Sequence, residues 1–188
     1  MAVIPYVVLG IIAVLVIWFL SIYNRLVNMR NKVQNTWAQI DIQLKRRYDL
    51  IPNLVEIVRA YAKHEREVME NVTNARNAAQ QASASGPAAR SQVEGELSAL
   101  LSRLMIVAEA YPDLKASQNF LALQGELAST ENKTGASRQL YNDSVLGYNN
   151  KIQMFPSSMV AGITSFKASE FFAAKAETEK QASKVSLT

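Results

Sequence analysis

The chain has 188 residues, room for one domain beside an apolar segment, and no cysteine, which excludes disulfides, thiolate nucleophiles and cysteine-ligated zinc. Its net charge of +4 is uneven: residues 24–48 hold six bases against one acid, residues 49–188 fourteen against fifteen. A basic excess confined to one stretch is not a nucleic-acid footprint, and a single histidine, His64, is a poor foundation for a catalytic or metal centre.

The first element is apolar. Residues 1–23, MAVIPYVVLGIIAVLVIWFLSIY, carry no charged side chain, and Val3 to Tyr23 as a helix would cover roughly 30 Å, the thickness of a bilayer's hydrocarbon core. Trp18 and Tyr23 stand near one end, where amphipathic aromatics prefer the interface, and Arg25 follows directly. No base precedes the run and no A-x-A pattern ends it, so the expectation is an uncleaved transmembrane anchor rather than a signal peptide. Arg25, Arg30 and Lys32 just after the span predict, by the positive-inside rule, an outside N-terminus and residues 24–188 in the cytoplasm.

Beyond the span, apolar residues recur at steps of three and four. The first seam runs Leu26, Val33, Trp37, Ile40, Leu44, Ile51, Val55, Val58, Ala62, Met69 and Val72, a coiled-coil-like spacing that predicts one helix to about Gln81. Ile40 and Ile51 are eleven residues apart, a stutter that coincides with Lys45-Arg46-Arg47 and Pro52. Pro52 has no N–H, so in a continuous helix the Tyr48 carbonyl loses its donor. Two geometries answer this: a kink at Pro52 in a nearly continuous helix, or a stop and restart with Asp49 as cap and Asn53-x-x-Glu56 as a capping pair.

The three bases have two readings. One is a solvated face with one base paired to an acid on a neighbouring helix; the other is a docking patch for an acidic partner or a second copy. A lipid role is disfavoured, because Arg46 would stand roughly 33 Å beyond Asn24 along a helix, several Debye lengths of about 8 Å. Trp37, Lys45, Arg46, Arg47 and Asn53 are the interaction candidates.

Gln81 to Arg90, with Gly86-Pro87, predicts a loop. A second seam, Val93, Leu97, Leu100, Leu104, Val107 and Tyr111, ends before Pro112. A third runs Phe120, Leu123, Leu127, Thr130, Thr134, Ser137, Tyr141, Val145, Tyr148, Ile152 and Phe155, with Ser117 as N-cap and Pro156 as terminator. Its middle is small and polar, and Gly135 costs about 1 kcal/mol against alanine. Each helix has one apolar stripe, so the expected fold is all-α: a transmembrane helix followed by an antiparallel bundle of three long helices and a short C-terminal one. The boundaries expected are an anchor at 1–23, a bundle at 24–156, a short helical segment at 157–172 and a mobile tail at 173–188. Residues 155–172 would cap the bundle or another subunit, or touch the membrane interface with Lys167 snorkelling.

Three stretches resemble the LemA family of bacterial membrane proteins: YNRLVNMRNKVQNTWAQIDIQLKRRYDLIPNLVEIVRAYAKHE (Tyr23 to Glu65), YPDLKASQNFLALQGELASTEN (Tyr111 to Asn132) and FPSSMVAGITSF (Phe155 to Phe166). The resemblance covers nearly the whole chain. It implies an anchor followed by a cytoplasmic four-helix bundle, without an established enzymatic activity, and relatives associated with magnetosomes imply a part in organising membrane. Lys133-Thr134-Gly135-Ala136 departs from the family's more apolar continuation after STEN and bears on the regularity of the third helix.

Chemistry finds little to work with. A carboxylate di-iron bundle needs two Glu-x-x-His motifs, and the lone His64 has Tyr61 three residues before it. The expectation is no enzyme, no catalytic or metal residue and no cofactor. What remains is an anchored helical scaffold that self-associates on the lipid bilayer, or a monomeric adaptor that recruits a membrane protein, with no nucleic-acid partner.

Overall fold

The computed structural model describes residues 3–172; the predicted tail at 173–188 lies outside them. Six α-helices follow in order: α1 (Val3–Tyr61), α2 (Arg66–Gln81), α3 (Pro87–Glu109), α4 (Pro112–Lys115), α5 (Gln118–Gln153) and α6 (Ser157–Ile163), with a 3₁₀ turn at Ala82–Ala84. There is no strand among the described residues, and the fold is the expected all-α bundle.

The first predicted helix is two helices. α1 ends at Tyr61, and four residues reverse the chain before α2, with the Ala62 and Glu65 amides bonded to the Val58 and Ala62 carbonyls. The apolar spacing hid this break because Val58, Ala62, Met69 and Val72 are all buried on either side of it. Lys63-His64-Glu65-Arg66-Glu67, five polar residues in a row, is where the stripe lapses. The predicted loop shrinks instead: Pro87 begins α3, its missing N–H costing nothing at a helix start.

Pro52 lies inside α1, which neither stops nor restarts there. α5 likewise runs unbroken through Lys133-Thr134-Gly135-Ala136. Its polar middle is satisfied locally, since buried Thr134 donates its hydroxyl to the Thr130 carbonyl at 2.8 Å.

The chain gathers into two compact units. The first comprises residues up to 37 and residues 140–169. Here α1 and α5 run antiparallel, with Met29 beside Gly147 and the Trp37 ring tilted against that of Tyr141, centroids 5.2 Å apart. α6 closes one end: Leu26, Val160 and Ala161 form a core against which Phe19, Ile22, Ile152 and Phe166 pack. The Tyr148 hydroxyl donates to the Lys167 carbonyl, and Asn149 exchanges two 2.9 Å hydrogen bonds with the Ser169 backbone, so the segment after α6 is tied back along α5.

The second unit comprises residues 38–139 and 170–172 of the described chain. Short connections make α1, α2, α3 and α5 an up-down-up-down bundle. Asp41 and Arg47 of α1 meet Arg90 and Glu94 of α3 in the same order, as parallel helices must. Its apolar core includes Ile40, Leu44, Ile51, Leu54, Met69, Leu97, Leu104 and Leu114, each at most 2% exposed.

Candidate functional site

The second unit carries an ionic layer at its centre. Arg47 and Glu94 are 3% and 1% exposed, an unusual depth for charged side chains, which tolerate it only when paired. Arg47 reaches Glu94 at 3.4 Å and Glu131 of α5 at 3.1 Å, and donates to Ser98 Oγ at 2.9 Å. Tyr48 donates its hydroxyl to the other Glu94 oxygen, and buried Arg90 pairs with Asp41. Arg138 of α5 lies with its guanidinium 4.9 Å from the centre of the Phe172 ring, a cation–π contact. Arg47, Arg90 and Arg138 are thus balanced by Asp41, Glu94 and Glu131.

The stutter is thereby explained. Ile40, Leu44, Arg47, Ile51 and Leu54 are all buried at alternating steps of four and three, so Arg47 fills the position the apolar pattern leaves empty. α3 answers in kind. Its buried stripe is Arg90, Glu94, Leu97, Leu101, Leu104 and Ala108, rotated from the predicted one, so Val93, Leu100 and Val107 are only half-buried. The helix turns two charges inward because Asp41, Arg47 and Tyr48 face it.

Burial, then the Glu94 carboxylate bonded to it, pushes the Tyr48 phenol well above its ordinary range. Burial pulls the Arg138 guanidinium below its own, partly offset by Glu131 and Glu94. Neither group becomes a better proton donor or acceptor near neutrality: the phenol is a weaker acid, and arginine stays charged. The Glu94 carboxylate is engaged by both an arginine and a tyrosine. This layer is built to hold helices together.

One bond of the layer's rim answers the question raised by Pro52. Nε of Arg76, on α2, donates to the Tyr48 carbonyl at 2.7 Å, supplying from another helix the donor that residue 52 lacks.

The predicted candidates separate. Arg47 is interior, whereas Lys45 and Arg46 are exposed, as are Asn53 and Pro52. Trp37 is half-buried in the first unit against Tyr141. Trp18 and Arg25 are exposed, and Tyr23 meets Phe166 edge-on at 5.9 Å. Glu94, Arg90, Glu131, Arg138 and Arg76 escaped the sequence reading; a charge at a seam position was the available signal. Among the described residues no three histidine, cysteine or acidic side chains gather into a cation site. An open cleft of about 270 Å³ at the α1–α2 turn is lined by Arg59, Lys63, Arg66, Met69 and Glu70.

The opening segment of α1 is long and apolar enough to cross a membrane, and none of its most apolar stretch is buried among the described residues. Residues 36–187 match the LemA family. The chain is 25% identical over 177 residues to magnetosome protein MamQ 2 of Paramagnetospirillum magneticum, covering 81% of this chain and 65% of that one. It is 25% identical over 174 residues to MamQ of Magnetospirillum gryphiswaldense, covering 80% and 64%. Protein LemA of Metamycoplasma hominis is 26% identical over 153 residues, covering 78% and 69%. The alignments thus span less than two thirds of the length of these MamQ relatives.

Proposed function

The chain belongs to the LemA family, and from that premise we propose that it is a membrane-anchored, non-enzymatic helical bundle that self-associates into a scaffold organising the bilayer that holds it. The observation that carries this is the apolar start of α1, whose most apolar stretch is not buried by the described residues yet is continuous with the rest of the helix. Water would not tolerate such a segment exposed; a bilayer requires one.

Two further points support it. The bundle's unusual charges are spent on one another, leaving no reactive group in the layer. Relatives named as magnetosome proteins favour an organising role over a turnover one. Arg25, Arg30 and Lys32 after the span favour a cytoplasmic bundle at the inner membrane of a bacterium.

The test is the mass of the full-length protein in mild detergent and in nanodiscs, by light scattering. A large, uniform multimer is expected, and a strict monomer refutes self-association. A second reading rests on exposed Lys45 and Arg46, a basic pair suited to recruiting an acidic protein. It predicts a monomer that co-purifies with a partner in a salt-sensitive way, weakened by Arg46→Gln.

A further inference from the structure

Among the described residues, the first unit exposes an apolar surface at the α5–α6 corner besides the span. After α5 the chain turns through Met154 to Pro156 into α6. α6 buries Ser157, Val160 and Ala161 but presents Met159 and Ile163 outward, 57% and 73% exposed. Met154 and Phe155, just before it, are 60% and 79% exposed. Residues 152–166 contain no charged side chain and are bracketed by Lys151 and Lys167. Contiguous apolar exposure of this kind on a small unit marks an interaction surface.

Its depth identifies the occupant. α6 packs with Phe19 and Ile22, which belong to the last turns of the uncharged segment. Phe19 precedes Tyr23 by roughly 6 Å along the helix, so α6 stands at the level where the hydrocarbon gives way to headgroups. A face turned outward at that level meets lipid. The charge of the unit agrees: Arg25, Arg30, Lys32, Lys151 and Lys167 stand against one acid, Asp143, which leaves the rest of the sequence with no net charge. Arg30 lies over the Phe166 ring at 5.2 Å and, with Lys167, Gln34 and Ser165, lines an open cleft of about 330 Å³ beside α6. Apolar residues flanked by bases are what an anionic bilayer surface selects.

We propose that the α5–α6 corner is a second membrane contact, in which Met154, Phe155, Met159 and Ile163 enter an anionic bilayer beside the span while Lys151, Lys167 and Arg30 face lipid phosphates. The proposal rests on α1 spanning the membrane. It makes the first unit a two-point attachment, fixing the azimuth of the emerging helix that a single span leaves free.

The absence of cysteine makes the test direct. Full-length Phe155→Cys and Ile163→Cys, each carrying a nitroxide, are reconstituted in vesicles of phosphatidylcholine with phosphatidylglycerol. Leu15→Cys in the span and Ile106→Cys on α3, where the native side chain is 68% exposed, serve as references. All four replaced side chains are exposed, and far-UV circular dichroism checks that the helices are kept. At 155 and 163 the ratio of collisions with oxygen to collisions with a water-soluble nickel chelate should be several-fold above that at 106 and close to that at 15. It should fall when phosphatidylglycerol is omitted or in Lys151→Gln/Lys167→Gln. Labels at 155 and 163 as open to nickel as that at 106, with 15 still in lipid, overturn the second contact and spare the anchor. Labels shielded from both reagents and broadened by spin–spin coupling overturn it in favour of a second copy. A label at 15 in water removes the anchor as well.

Discussion

The bond from Arg76 to the Tyr48 carbonyl makes a quantitative prediction, because it should matter only while residue 52 is proline. Arg76→Met removes the donor and keeps the apolar stem. A charged hydrogen bond to a carbonyl contributes about 1.5–3 kcal/mol, and the half-buried site argues for the lower end, about 1.5 kcal/mol. Pro52→Ala restores an N–H four residues from that carbonyl. It removes a helix-interior penalty of about 3 kcal/mol, less about 1 kcal/mol of unfolded-chain entropy that proline had withheld, and less what Arg76 already recovers. The single substitution should therefore stabilise modestly, by about 1 kcal/mol. In its background the Arg76→Met cost should shrink to about 0.5 kcal/mol, because the carbonyl keeps a partner. The coupling of about 1 kcal/mol is readable in a double-mutant cycle by chemical denaturation in mild detergent, or as about 2–4 °C between melting points. An Arg76→Met cost that is the same in both backgrounds would show that Arg76 does not stand in for the missing amide.

The ionic layer, the tyrosines and the end of α6 supply the remaining predictions. Glu94→Leu should cost about 3 kcal/mol, because Arg47 and Tyr48 lose their buried acceptor, whereas Arg47→Met/Glu94→Leu should cost less than Glu94→Leu alone; additive losses in denaturation refute the pairing. Burial raises the phenols of both Tyr48 and Tyr148, so below about pH 10 they are protonated folded or unfolded. Above that the unfolded chain releases protons the fold retains, and stability falls as pH rises. At about pH 11 the native absorbance at 295 nm should stay below that of the denatured chain, and a complete native titration with a midpoint of about 10 overturns this. Ser165 ends α6 at φ 56° while the Phe166 amide bonds the Ala161 carbonyl at 3.0 Å, a left-handed cap that suits glycine. Ser165→Gly should stabilise by up to about 1 kcal/mol and Ser165→Val destabilise, judged by melting temperature.

How much of this was legible follows from what a hydrophobic pattern measures. Spacing reports where apolar side chains gather, so it found the apolar opening of α1, the third seam through Tyr141, Val145 and Tyr148, and most of the rest of α1. It is blind to a position buried by charge. Arg47 therefore read as a gap, and Arg90 and Glu94 were passed over for Val93, although continuing the steps back from Leu97 lands on both. The gap in α1 and the gap in α3 are the same object seen from two helices, and only their meeting in space shows it. The turn after Tyr61 was hidden for the opposite reason: apolar spacing persisted across it while the backbone reversed. Local chemistry could see the Tyr48 carbonyl losing its donor at Pro52, but not that α2 would return with Arg76 to replace it. Apolar seams alone would let neighbouring helices slip by a heptad at modest cost, since leucine packs on leucine in either position. A slip here would strand the buried guanidinium groups of Arg47 and Arg90 away from their carboxylates, at several kcal/mol for each charge left unpaired. The residues least visible to periodicity are thus the ones that fix which turn of α1 lies against which turn of α3 and α5.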